Sequence, residues 1–189
     1  MSSAELSSSA RPRTGTPRHT VKTVLVTPRL ELRELAIGDL DFVATMLAHP
    51  EVSRYYERQF TRADAEAWLQ RQLTRYATDG HGLWLVTERE GGTPVGQVGL
   101  ALQDVEGHRL PEIGWLLHRP YWGRGYATEA AAATRDLARS RWKYGRLISL
   151  IRPANEPSRR VAERIGMHAG PRVDFHGFEH IVYETEGDE

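Results

Sequence analysis

The stretch that decides the fold runs from Arg119 to Ala130 and reads RPYWGRGYATEA. Two glycines one residue apart, Gly123 and Gly125, stand directly before a helical pattern. Glycines let the backbone curl until several amide N–H groups converge, and the start of a helix adds its own unpaired N–H groups and the positive end of its dipole. The stretch therefore predicts a binding site for a diphosphate.

Two familiar nucleotide signatures are missing from this stretch. It lacks the last glycine of a dinucleotide fingerprint and the Gly-Lys-Ser/Thr of a P-loop, so neither hydride transfer nor nucleotide hydrolysis is predicted. Taken alone, Gly-x-Gly before a helix is equally typical of a tight turn that reverses the chain. The surrounding elements must decide between the two.

The composition is that of a folded globular protein. The chain has 189 residues, of which 40% are hydrophobic and 26% charged, and this balance lies far from that of disordered proteins. It contains no cysteine, which excludes disulfides, thiolate metal sites and a cysteine nucleophile. No apolar run approaches the roughly eighteen residues of a membrane span, and no secretory signal is visible. We expect a cytoplasmic protein without a membrane segment.

Charge is unevenly distributed along the chain. Positive and negative residues number 25 each, but residues 1–29 hold five positive residues and one negative residue. We expect residues 1–20 to form a flexible basic tail rich in Ser and Pro, and residues 21–186 to form a single domain. The remainder is mildly acidic, which weakly favours a cationic substrate and makes nucleic acid an unlikely partner. Nucleic-acid binding through the tail is kept as a third hypothesis.

Hydrophobic periodicity and turn residues predict a mixed α/β domain. Residues 21–35 are typical of one or two strands, and helices are predicted at 39–47 and from a capping box at Thr61 and Asp64 to Gly80. The later elements alternate without a linker: strands at 83–88, 94–102, 110–118, 146–152, 168–173 and 178–184, and helices at 127–142 and 157–165.

In this order of elements the sequence resembles the GNAT family of N-acetyltransferases, and in particular the ribosomal-protein N-terminal (RimJ/RimL-type) acetyltransferases. The likeness extends from Val24 to Tyr183. Four blocks carry it: TPRLELREL at 27–35, PVGQVGL at 94–100, PEIGWLLHRPYWGRGYATEA at 111–130 and RPANEPSRRVAERIGM at 152–167.

The resemblance implies an α/β (α+β) fold whose mixed, mostly antiparallel sheet has six to seven strands and about four flanking helices. The family's fourth and fifth strands splay apart to admit the pantetheine arm of acetyl-CoA, the implied co-substrate, and no metal is required. The family's loop commonly opens with Gln or Arg, whereas this chain has Trp122. The implied diphosphate donors are therefore backbone amides, those of Arg124, Gly125, Tyr126, Ala127 and Thr128.

The acetyl group is expected beside the strand that holds Glu112. There the backbone N–H of Leu116 or of Leu117 would stabilise the oxyanion, because splayed strands expose donors that a closed sheet would consume. Glu112 matches the family's glutamate base in position; a solvated or structural charge is the alternative. His118, as base or cofactor contact, His176, Glu179 and a water relay are further candidates to accept the proton of the amine.

Asn155 and Ser158 form the N-x-x-S element that resembles the family's contact with pantetheine and the thiolate. Ser158 would hydrogen-bond to the departing sulfur, although either residue could equally be a helix cap. Arg124 and Arg159 are candidate phosphate contacts.

The sequence thus predicts direct acetyl transfer from acetyl-CoA to a primary amine, either a protein or peptide α-amino group or a small molecule such as an aminosugar. The alternative function is a non-catalytic acyl-CoA-binding regulatory module. The two N-terminal helices and the final hairpin are expected to set specificity, with Tyr55, Tyr56, Phe175 and Phe178 as candidate contacts. The resemblance also allows a homodimer.

Overall fold

A computed structural model describes residues 21–56 and 58–186. The predicted basic tail over residues 1–20 lies outside this part of the chain.

A single eight-stranded sheet forms the centre of the domain, in the order β1-β2-β3-β4-β5-β6-β8-β7. Neighbouring strands are antiparallel except β5 and β6, which are parallel. The strands are β1 (Thr23–Val26), β2 (Leu30–Arg33), β3 (Leu83–Glu88), β4 (Pro94–Val105), β5 (His108–Leu117), β6 (Ile148–Ile151), β7 (Met167–Phe175) and β8 (Phe178–Thr185).

The strand count corrects the sequence-based expectation of six to seven. Pro28 cannot donate to a sheet ladder, so the segment before β3 divides there into two short antiparallel strands instead of one. Both are hydrogen-bonded into the sheet, and their addition makes β5 and β6 the splayed pair.

Four α-helices cover the sheet, as predicted: α1 (Leu40–Ala48), α2 (Arg62–Thr78), α3 (Tyr126–Trp142) and α4 (Glu156–Arg164). The predicted capping box is present at the start of α2. The Thr61 hydroxyl accepts a hydrogen bond from the Asp64 amide at 3.2 Å, and the Asp64 carboxylate accepts one from the Thr61 amide at 2.8 Å. Each side chain thus satisfies a donor that would otherwise be unpaired at the helix start.

Both faces of the sheet are covered, and β3 shows how. Leu85 packs with α1 and α2 on one face, whereas Trp84 and Val86 pack with α3 on the other. All three side chains are fully buried or nearly so. Alternation along the strand explains why the nearly continuous apolar run Leu83–Glu88 belongs to a central strand.

Candidate active site

The parallel strands β5 and β6 separate almost as soon as they meet. Their pairing is confined to Glu112 and Ile148. One residue further on, the Ser149 hydroxyl donates to the Ile113 carbonyl oxygen at 2.8 Å. Beyond this point the strands diverge and leave a gap, which we call the wedge, between β5 after Ile113 and β6 after Ser149.

The hydrogen bonds of β5 show which of its amides face the wedge. The amide of His118 donates to the Val95 carbonyl of β4 at 2.9 Å, and β4 and β5 pair without a register shift. Because successive backbone groups alternate in direction along an antiparallel strand, Leu116 also turns its N–H toward β4. The amides of Trp115 and Leu117 therefore point into the wedge, so of the two amides predicted as oxyanion donors that of Leu117 faces the wedge and that of Leu116 faces β4.

A large cavity, about 1020 Å³ in volume, opens onto the wedge. One end is lined by the glycine loop (residues 122–125) and the first turn of α3, and the middle by β5, β6 and the start of α4. The other end is lined by the α1–α2 connection, α2 and the β7–β8 hairpin. All four predicted aromatic contacts line this end, namely Tyr55, Tyr56, Phe175 and Phe178, and Phe60 and Trp68 line it as well.

The glycine loop has the backbone conformation that its sequence requires. Gly123 and Gly125 both have φ of 78°, in the left-handed region where a side chain would be strained, and Gly125 is the N-cap of α3. In the described part of the chain, the amides from Gly123 to Thr128 donate to no other protein group. They form a row of free donors at a helix start, suited to a diphosphate.

Trp122 attaches the glycine loop to the end of β5. Its indole N–H donates to the Leu117 carbonyl at 2.7 Å, and the Arg119 guanidinium lies over the indole ring. The aromatic residue that stands in place of the family's Gln or Arg therefore has a structural contact of its own.

Arg29 holds the other side of the same loop. Its guanidinium donates to the Arg124 carbonyl at 2.9 Å and to the Glu129 carboxylate at 2.6 Å. Glu129 also accepts from the Thr27 hydroxyl at 2.6 Å. These contacts tie the β1–β2 turn to the first turn of α3. They explain why TPR and GRGYATE, about a hundred residues apart, belong to one site.

Glu112 lies at the apex of the wedge and bridges its two strands. One carboxylate oxygen accepts from the side-chain amide of Gln103 at 2.6 Å, and the other accepts from the Leu150 amide of β6 at 3.2 Å. Burial raises the pKa of Glu112, while these hydrogen bonds and the charge of Arg75 oppose the rise. Glu112 thus combines a structural contact with the properties of a general base, a carboxylate whose affinity for a proton is increased.

Tyr56 and His180 also line the cavity, and the sequence did not single them out as proton acceptors. Burial, followed by the charge of Glu112, raises the pKa of Tyr56 to about 12; 41% of the residue is nevertheless accessible, so water in the cavity moderates this effect. Burial lowers the pKa of His180. Its Nδ1 lies 2.9 Å from the Phe178 carbonyl, which can only accept, so Nε2 is left as the acceptor of a neutral ring.

The other proposed bases are placed differently. His176 lines the cavity. Glu179 does not, and its carboxylate forms an ion pair with Arg172 at 2.7 Å. His118 lies just beyond β5 outside the cavity lining, where its ring packs against Phe42 with centroids 5.9 Å apart.

Asn155 and Ser158 both line the cavity, and each also has a local contact. The Asn155 side chain caps α4 by accepting from the Ser158 amide at 3.2 Å. The Ser158 hydroxyl oxygen accepts a hydrogen bond from the Trp115 indole N–H at 3.2 Å. Because the indole can only donate, the hydroxyl hydrogen of Ser158 is left to bind another acceptor.

The two candidate phosphate arginines turn their side chains away from the cavity. Arg124 lies over the Tyr121 ring and 3.5 Å from the Glu88 carboxylate, and Arg159 donates to the Tyr183 hydroxyl at 3.1 Å. The backbone amide of Arg124 remains within the glycine loop.

Gln103 and Arg75 were also missed by sequence reasoning. A register signal for Gln103 exists: Ala101 pairs with Glu112, so Gln103 is a diagonal neighbour on the same face. Nothing in the local pattern of α2 distinguishes Arg75 from the other arginines of that helix.

Within residues 21–56 and 58–186, no three or more His, Asp or Glu side chains are grouped as metal ligands would be. No helix in this part combines the length and apolar character needed to cross a membrane.

Comparisons with known proteins agree with this geometry. The uncharacterized protein YkkB of Bacillus subtilis is 35% identical over 166 residues, covering 87% of this chain and 96% of YkkB. The uncharacterized N-acetyltransferase YnaD of the same organism is 30% identical over 144 residues, covering 76% and 81% of the two chains. The crystal structure of an acetyltransferase from Agrobacterium tumefaciens superposes with a TM-score of 0.77 at 30% identity, covering 94% of this chain and 99% of that one.

The acetyltransferase (GNAT) domain family matches residues 29–168. The matched segment contains β2 through α4, and with them the wedge, Glu112, the glycine loop and Ser158. The chain is therefore an acyltransferase that belongs to the GNAT family.

Proposed function

We propose that this protein transfers the acetyl group of acetyl-CoA directly to a primary amine. The observation that carries the proposal is the presence of three sets of groups in one cavity: the free amides of the glycine loop, the Leu117 amide that faces the wedge, and the Glu112 carboxylate. The glycine-loop amides suit the diphosphate of acetyl-CoA and the Leu117 amide suits its thioester. The Glu112 carboxylate suits the amine of the acceptor.

The residues present fit acetyl-CoA without a metal or a covalent intermediate on the protein. The amides from Gly123 to Thr128 would hold the diphosphate, and Asn155 and Ser158 would lie beside the pantetheine arm. Acetyl-CoA supplies an acyl group already activated as a thioester. The protein therefore needs only to orient it, stabilise negative charge on the carbonyl oxygen and accept a proton.

In the proposed step the amine nitrogen forms a bond to the carbonyl carbon and the carbon–sulfur bond breaks. The proton leaving the amine passes to Glu112, directly or through water, and the electron pair of the broken bond stays on sulfur. The Leu117 N–H would donate to the carbonyl oxygen while it carries negative charge. The free hydroxyl hydrogen of Ser158 would donate to the thiolate, which lowers the basicity of the leaving group.

Two acceptor classes remain part of the proposal: the α-amino group of a protein or peptide, which the resemblance to ribosomal-protein acetyltransferases favours, and a small-molecule amine. The first test has two parts. Calorimetry should detect CoA binding by the full chain, and thiol release from acetyl-CoA should rise on addition of at least one amine from a panel of peptides, amino acids and aminosugars. An absence of CoA binding would overturn the proposal. CoA binding without turnover on any amine would instead support the acyl-CoA-binding module.

A further inference from the structure

The acceptor end of the cavity has the opposite charge to the rest of the domain. The described residues that line the whole cavity include seven arginines and two glutamates: Arg54, Arg58, Arg71, Arg75, Arg152, Arg160, Arg164, Glu51 and Glu112. Arg160 and Arg164 belong to α4, beside the predicted pantetheine site. The other five arginines lie toward the α1–α2 connection, α2 and β6, where the acceptor would enter.

Among the five arginines at the acceptor end, only Arg75 lacks a side-chain partner within the described chain; Arg54 and Arg152 lie over the rings of Tyr55 and Phe178. Arg58 forms an ion pair with Asp64 at 2.6 Å, and Arg71 lies over the Trp68 ring at 5.5 Å. Among the described residues, the side chain of Arg75 has no hydrogen-bond, ion-pair or aromatic partner. Its guanidinium is partly buried in the cavity wall, where an unpaired charge is costly.

Arg75 and Glu112 both line the cavity. Their charges interact, since each shifts the pKa of the other toward its charged form, yet no ion pair joins them within the described chain. The cavity lining therefore contains a guanidinium without a partner and a carboxylate that forms no ion pair with any cation of the described residues. Glu51, the second acidic residue of the cavity lining, forms an ion pair with Arg119 at 2.6 Å.

We propose that the acceptor is a zwitterionic small molecule, an amine that carries an oxyanion group a few bonds away, as an α-amino acid does. Its ammonium would bind at Glu112 and its carboxylate at Arg75, while the aromatic residues of the cavity would contact an apolar side chain. This inference rests on the proposed function, because it places the same amine at the same base. It differs from the weak expectation of a cationic substrate that the charge distribution along the chain suggested.

The electrostatics favour the chemistry as well as the binding. A guanidinium near the reacting nitrogen disfavours the ammonium form, so the amine loses its proton to Glu112 more readily. A planar guanidinium also matches a carboxylate or phosphate with two parallel hydrogen bonds and fixes the orientation of the acceptor.

The experiment compares acceptors that differ only in the oxyanion. Thiol release from acetyl-CoA is measured with L-phenylalanine, L-phenylalaninamide and 2-phenylethylamine, with L-leucine beside its α-amide, and with 2-aminoethyl phosphate beside ethanolamine. We expect kcat/KM for at least one oxyanion-bearing acceptor to exceed that of its neutral counterpart by about tenfold to a hundredfold. An α-amide contains the more acidic ammonium, so a preference for the acid would run against the order of amine reactivity.

A variant tests the residue. Arg75→Gln should lower kcat/KM for the preferred acceptor by about tenfold or more, mainly through KM, and leave the KM for acetyl-CoA unchanged. The neutral counterpart should lose much less, because only the effect of the guanidinium on the amine proton is removed there. Arg62→Gln, at the start of the same helix and outside the cavity lining, is the matched control. Should Arg75→Gln fail to fold, Arg75→Lys keeps the charge but loses the bidentate geometry, and should retain only part of the preference.

The outcomes separate this inference from the proposed function. Equal or faster turnover of the neutral amines throughout the panel, or an Arg75 variant that loses acid and amide acceptors equally, would overturn the zwitterion proposal and leave acetyl transfer intact. Preference for the phosphate over the carboxylate would identify the oxyanion. Absence of turnover with every amine, together with absence of CoA binding, would overturn both.

Discussion

Replacing Glu112 with Gln separates its contact across the wedge from its proposed role as proton acceptor. The substitution keeps the shape of the side chain and one acceptor oxygen, which can continue to bind the Leu150 amide. The Gln103 amide, which now donates at 2.6 Å, can turn over and present its oxygen to the new NH₂ group. No buried donor is left unpaired, so the loss is limited to the charge-assisted part of two hydrogen bonds, about 1–2 kcal/mol of unfolding free energy.

The catalytic loss should be much larger than the loss of stability. Removing a positioned general base lowers turnover by about 10²–10⁴, equivalent to about 3–5 kcal/mol in the activation free energy. The affinity for CoA should not change, because the glycine loop and α4 are untouched. The assay is steady-state thiol release with acetyl-CoA and the best acceptor of the panel, accompanied by calorimetry with CoA and by thermal unfolding.

The pH profile adds a signature that a structural role would not give. Burial raises the pKa of Glu112 from its ordinary value of 4.5, so the active carboxylate form is lost as pH falls through this raised value. The acidic limb of kcat/KM in the wild type should therefore lie above that of a solvated glutamate and should disappear in Glu112→Gln. A folded variant with turnover within threefold of the wild type and an unchanged acidic limb would refute the reasoning. His180→Gln, which changes the neighbouring base candidate, is the comparison.

Three further predictions concern the glycine loop, the leaving group and the core. Arg29→Ala removes the contact to the Arg124 carbonyl and should raise the KM for acetyl-CoA about tenfold with little change in kcat; an unchanged KM would show that the loop holds its shape without it. Ser158→Ala should lower kcat about threefold to tenfold at constant CoA affinity, and an unchanged kcat would remove Ser158 from the reaction. His81 is fully buried, and burial lowers its pKa from 6.5. The unfolded chain therefore binds a proton at this residue more readily than the folded chain does. The unfolding free energy should consequently decline as pH falls below about 6.5. Denaturant unfolding of His81→Gln should show a shallower decline, and identical pH slopes would contradict the argument.

Most of the fold could be predicted from local signals. The capping box placed the start of α2, and alternating or continuous apolar runs placed the later strands to within a few residues. The division at Pro28 was foreseen only as one option, because four-residue strands leave too short a pattern to count. The hairpin of β4 and β5 also extends further than predicted. β4 ends at Val105 and β5 begins at His108, because the strands continue to pair beyond their apolar residues.

Those parts of the candidate site that lie within one segment of the sequence could be predicted. Contacts between segments far apart in the sequence could not. The glycine loop and the N-x-x-S element are continuous in sequence, and both line the cavity. The contact of Arg29 with Glu129 and the presence of Arg75 and Glu112 in one cavity depend on packing between elements far apart in the chain, which no local periodicity encodes. Likewise, the side chains of Arg124 and Arg159 are drawn to Glu88 and Tyr183, partners that only the folded chain supplies.

The bond between the Trp122 indole and the Leu117 carbonyl has a consequence for carrier selection. It joins the glycine loop directly to the end of β5, so the protein and not the ligand sets the distance between the loop amides and the Leu117 amide. In the proposed binding mode, the distance from diphosphate to sulfur in the thioester must match this distance in the protein, because only then does the acyl group reach the Leu117 amide. A truncated thioester such as S-acetylcysteamine lacks the diphosphate that would bind the loop amides. Its acyl group would therefore not be held in position, and it should react slowly even at saturating concentration.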